Sequence, residues 1–294
     1  MASATTPDQF ALNEYRDYVT YRELAKIEAL PKFKKILEEL IQHELDDYRF
    51  WLEFSSKKEH HISALEIWLL TLMRRVLGLT FTAKFLERHE KDAVRNYTAF
   101  LSRADGAIKE RLQEIISHEM YHERELIGQI KEERVKFLGS VVLGINDGLI
   151  ELTGALVGFT FALREHLLVA VLGAVTGISA ALSMAASAYM QARHEEGRDP
   201  KKAALYTGLA YAIVVTALVA PFFLIPTVSI ALGTMFGIIL LLIVSFSFYS
   251  SVLFERDFKR QAGEMFLFSL GVAGIAFLLG TLVRSVIAAS HQVM

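Results

Sequence analysis

Glu119-Met-Tyr-His122 puts a carboxylate and an imidazole three residues apart. On a helix both project from one face and can hold the same divalent cation. Glu44-Leu-Asp-Asp47 repeats the spacing with aspartate in place of histidine. A lone glutamate precedes each pair at nearly the same interval: Glu14 lies 30 residues before Glu44, and Glu90 lies 29 before Glu119. Tyr21 follows Glu14 by seven residues, and Tyr97 follows Glu90 by seven. Glu87, one turn before Glu90, adds another acid. Glu-x-x-His arises by chance in a glutamate-rich chain, and most such acids lie on a solvated face. Two matching intervals with matching tyrosines make an internal repeat of helix pairs, as a pseudosymmetric dinuclear site requires. The predicted ligands are Glu14, Glu44, Asp47, Glu87, Glu90, Glu119 and His122. Iron suits this donor set, with manganese or zinc able to take its place. The chain has no cysteine, which excludes disulfides and thiolate metal centres. His43 and His118, each one residue before a motif, are read as pointing elsewhere, and His60 and His61 as loop residues.

A second group of acids lies in apolar sequence. Asp147 and Glu151 are four residues apart inside an otherwise uncharged stretch. Carboxylates inside a membrane span are costly and mark ion or proton pathways. Further on, Met184 sits among small residues in the run Ala180 to Tyr189. Small residues permit close helix packing. The Met184 thioether is either packing or a ligand for a softer cation.

The elements that must position these groups fall into two halves. Of 64 charged residues, 46 precede Phe137. Residues 8–134 carry helical periodicity and predict helices over Asp8–Leu30, Pro31–Phe54, Ile62–Ser102 (broken near Gly78) and Gly106–Glu133. The second half predicts five membrane spans: Phe137–Leu163, Leu167–Ala192, two within Ala203–Phe254 divided by a turn between Pro221 and Pro226, and Met265–Val283. Ile62–Phe85 is also apolar, but Arg74 and Arg75 at its middle exclude a span. It is read as a helix packed in the soluble half or lying on the membrane surface. The expected fold is all-α, with a four-helix bundle over 1–134 followed by a five-span domain over 135–294. Arg134, Lys136, Arg193, Arg198, Lys201, Lys202, Arg256, Lys259 and Arg260 fall on one side of alternating spans, against Arg164 and Arg284 on the other. That bias predicts a cytoplasmic first half and a C-terminus outside. Met1–Asn13 shows no signal-peptide core. A net charge of −2 gives no reason to expect nucleic acid as a partner.

Asn146-Asp147-Gly148 in the first span, Ser183-Met184 in the second and the count of five together resemble the vacuolar iron transporter family. The resemblance covers roughly Lys136 to the C-terminus. It implies that Asp147 and Met184 line the ion path of a homodimer exchanging Fe(II) for protons. Plant members carry a glutamate two turns before the methionine; here that position is Thr176, and the acidic insert between spans two and three is reduced to Arg193–Lys202. The first half resembles the rubrerythrin branch of the ferritin-like superfamily, with Glu87-x-x-Glu90 matching that branch's additional acid and Asp47 replacing its histidine. The pair resembles a membrane-bound ferritin fused to an iron transporter. The function this implies is export of Fe(II) or Mn(II) from the cytoplasm, through a prokaryotic plasma membrane, fed by a metal-binding bundle. The alternative is a membrane-anchored ferroxidase or peroxidase without metal flux.

Overall fold

Three helices begin at proline, whose fixed φ suits a first turn and whose missing N–H costs nothing there. They are α1 (Pro7–Ile27), α2 (Pro31–Phe54) and α7 (Pro200–Leu224). Gln9 accepts from the Thr6 amide at 3.0 Å ahead of α1. Asp199 accepts from the Lys201 and Lys202 amides ahead of α7. The remaining helices are α3 (Ala64–Leu101), α4 (Gly106–Gly128), α5 (Glu132–Leu163), α6 (His166–Arg193), α8 (Val228–Leu253) and α9 (Phe258–Gln292). The computed structural model describes residues 6–101, 106–128 and 132–292, and the described residues are all-helical with connecting loops. They form two compact units, 1–131 and 132–294.

In the first unit α1 packs on α2 and α3, and α4 packs on α3 and α2. Two apolar layers hold these four helices together. One contains Tyr21, Leu24, Leu37, Leu40, Leu86 and Leu126. The other contains Phe10, Trp51, Tyr97, Leu112 and Ile115. Each layer draws on all four helices, so chain order places Glu14, Glu44, Glu119 and His122 between them. The helix α3 bends at Gly78, where φ is +81°. A β-carbon there would touch nothing within 4 Å, so the requirement for glycine is conformational.

In the second unit α5 touches each of α6, α7, α8 and α9. Among the described residues, five helices are long and apolar enough to cross a membrane: Phe137–Leu163, His166–Arg193, Pro200–Leu224, Val228–Leu253 and Phe258–Val286. The turn expected between Pro221 and Pro226 lies later than that. Pro221 sits inside α7, and the chain turns at Ile225–Thr227. Proline at 226 cannot donate to the Phe222 carbonyl four residues back. The His166 Nδ1 lies 3.0 Å from that oxygen and supplies the bond instead.

α5 and α7 approach closely at Gly144, where a β-carbon would run into the Thr207 carbonyl. Gly144→Ala is expected to lower the unfolding free energy by about 1–3 kcal/mol. Gly139→Ala, which meets nothing within 4 Å, should leave it unlowered and raise it by up to about 1 kcal/mol. Thermal unfolding of the two variants in detergent checks this.

Candidate metal centre

α5 carries both acids of the second unit. Asp147 is half-buried and Glu151 is exposed on the same helix face. The Tyr211 hydroxyl on α7 is fully buried and donates to Glu151 Oε2 at 2.7 Å. Nothing in local spacing pointed to Tyr211, which lies 60 residues from its partner. Gly148 of the Asn-Asp-Gly run lets α5 sit against α7, where a β-carbon would meet Val214 at 3.2 Å. Met184 on α6 is half-buried and packs against the apolar cluster that includes Leu152 and Tyr211.

The first unit gathers its acids more tightly. Glu44, Glu119 and His122 are buried, and one ligand atom from each lies within 4.8 Å of the other two. The His122 Nδ1 faces Glu44 Oε1 at 3.2 Å and Glu119 Oε2 at 3.6 Å. On the other edge of the ring, Nε2 lies 2.8 Å from His43 Nδ1. His43 therefore does not point elsewhere as its register suggested. It is the partner that can take the ring proton and leave the His122 Nδ1 lone pair toward the acids. Glu14 on α1 is buried as well, and Tyr97 donates to its Oε1. Its Oε2 is buried without a hydrogen bond among the described residues.

Asp47 is buried one turn beyond Glu44 but is engaged differently. Arg111 Nη2 reaches its Oδ1 at 2.7 Å, and His118 Nδ1 lies 3.6 Å from its Oδ2. His118, also read as pointing away, thus joins the acid it was separated from in sequence. The side chains of Glu87 and Glu90 lie outside the described residues.

Burial governs the charge state here. The Glu14 carboxyl is pushed well above the usual glutamate range, first by loss of water and then by the neighbouring Glu44. Loss of water also lowers His122 to about 4, so its ring is neutral near pH 7. Burial raises Asp47 too, against the lowering influence of Arg111. The fit to a metal ion follows from these groups. Several buried carboxylates and a neutral imidazole converge, one carboxylate oxygen lacks a donor, and the donors are of the kind that hold Fe(II), Mn(II) or Zn(II).

A cation seated among these groups must displace the proton on Glu14. The metal-free form then binds more protons than the loaded form, so acidification favours release. His122, neutral above about pH 4, adds nothing to this dependence at neutral pH. Mn(II) affinity, read from the free-ion resonance, should fall as pH is lowered, because Glu14 holds its proton to a higher pH than an ordinary glutamate. Glu14→Gln should flatten that dependence.

Residues 138–198, from α5 through the loop after α6, match the model of the VIT family. No curated protein and no solved structure matches the chain. The matched segment contains Asp147, Glu151 and Met184 and is similar to the VIT family over two apolar helices.

Proposed function

We propose that this chain is a membrane transporter of divalent iron or manganese that moves the metal out of the cytoplasm in exchange for protons. The observation that carries the reading is the pair Asp147 and Glu151 on a membrane-capable helix inside the VIT-matched segment. An anchor needs neither acid, and a carboxylate in a span is retained where ions or protons pass. Asp147 is the transit ligand, Glu151 a proton-exchanging neighbour held by Tyr211, and Met184 a soft ligand for Fe(II). Glu151 is exposed on a helix of the apolar unit. A second copy covering that face would complete the path, which supports a homodimer. The lysine and arginine bias of the loops supports a cytoplasmic first unit and a C-terminus outside, in a prokaryotic plasma membrane.

The first unit is, in this reading, a ferritin-like bundle of the rubrerythrin type with a dinuclear metal site. Glu44, Glu119, His122 and Glu14 would hold the ions, joined by Glu87, Glu90 and an Asp47 released from Arg111. Bound iron would supply redox chemistry, while the protein's own groups set the geometry and exclude water. The buried cluster also favours a second reading, a membrane-anchored ferroxidase or peroxidase in which the spans carry no flux.

Fe(II) flux into proteoliposomes under a pH gradient separates the two. The transporter reading expects flux in the wild type and Asp147→Ala reduced to the leak of protein-free vesicles. Glu119→Ala should lose metal from the bundle, and its residual flux reports whether the bundle feeds the pathway. Absence of wild-type flux with iron oxidation retained would establish the enzyme reading.

A further inference from the structure

The first half of α3, before the bend at Gly78, is turned inside out. Leu65, Trp68, Leu69, Leu72 and Val76 follow the i, i+3, i+4, i+7, i+11 spacing of one helix face. A helix of a water-soluble domain turns such a stripe inward. Here it faces out, with Leu65, Trp68 and Val76 exposed by 65%, 57% and 68%. The polar residues of the same segment hold its other face to the bundle. Glu66 Oε1 meets Arg16 Nε of α1 at 2.8 Å. Arg74 makes two bonds, of 2.9 and 2.7 Å, to the buried Glu28 carboxylate. The orientation is thus fixed by ion pairs, one of them largely buried. Removing an arginine from a pair whose acid is buried is costly, so the outward stripe is a held feature of the domain.

We propose that this face docks onto the surface of the lipid bilayer that α5 to α9 span. The proposal rests on the membrane reading of the second unit. Three observations select lipid as the occupant. Only nine residues of chain lead from Gly128, the end of α4, to Phe137, the start of the first span. That is at most about 30 Å of extended chain, so the bundle is held close to a bilayer. The stripe has a tryptophan at its centre, the residue favoured where an apolar ring meets headgroups. Its charged neighbour on the open side is Arg75, which is exposed and suited to phosphate groups. Such a helix lies in the interface with its apolar side chains among the upper acyl chains.

The chain contains no cysteine, so single-cysteine variants can be spin-labelled without background. The test uses the full chain in phospholipid nanodiscs, labelled at Leu72→Cys, Leu65→Cys or, on the exposed face of α6, Leu182→Cys. All three positions are exposed on the chain's surface, so folding of the variants is not at risk. Collisions with oxygen, which concentrates in lipid, are compared with collisions with water-soluble chromium oxalate. The expected result is loss of oxalate accessibility at Leu72→Cys and Leu65→Cys, with oxygen favoured as at Leu182→Cys. Labels at 72 and 65 that remain open to oxalate, with 182 in lipid, overturn the proposal and leave the membrane reading intact. Dipolar broadening between labels of two copies also overturns it, because a second chain then covers the face. Oxalate access at Leu182→Cys overturns the membrane reading itself.

Discussion

A carboxylate withdrawn from water must be met by a cation, a donated hydrogen bond or a proton. Both units of this chain place acids under that constraint. In the first, Glu14, Glu44, Asp47 and Glu119 are buried between two apolar layers to which all four helices contribute. In the second, Asp147 and Glu151 lie on the helix that touches every other helix of the unit. The remaining architecture follows from the need to keep these groups in place while limiting their cost. Tyr97, Arg111, His43 and Tyr211 each reach across from a different helix to a particular acid or to its imidazole partner.

The compensation is uneven within the first unit. The sequence repeat suggests two equivalent halves, Glu44-x-x-Asp47 and Glu119-x-x-His122. In three dimensions the halves differ. His122 is neutral, backed by His43, and directed at Glu44 and Glu119. Asp47 is clamped by Arg111. A cation can enter the first arrangement by displacing a proton, whereas using Asp47 as a ligand requires breaking an ion pair. The replacement of histidine by aspartate thus changes which opposing charge is at hand, beyond exchanging one donor atom for another.

Much of this was legible in the sequence, because helix periodicity and helix ends are local. The Pro31 start, the Gly78 bend and the five apolar stretches all correspond to described elements, whereas the Pro7 and Pro200 starts were not read. The three-residue spacing also located Glu44, Glu119 and His122, since neighbours at that spacing share a helix face. What escaped were contacts set by how helices rotate against one another. His43 and His122 are 79 residues apart, Asp47 and Arg111 64, and Glu151 and Tyr211 60. A one-residue offset turns a side chain by about 100° on its helix, which still leaves a long imidazole within reach of a neighbouring helix. Register alone therefore misplaced His43 and His118. The Pro221 turn failed for a related reason: a proline tolerated in the last turns of α7 marks the end of a helix less sharply than Pro226, which leaves the Phe222 carbonyl without a backbone donor and open to His166.

The central claim is that the buried acid and imidazole layer of the first unit is a metal centre. The most direct measurement is anomalous diffraction at the manganese edge from crystals of the full chain grown with Mn(II). The account predicts an anomalous peak bonded to Glu44, Glu119 and the Nδ1 of His122. Ordered side chains with no anomalous signal among them at saturating Mn(II) would contradict it.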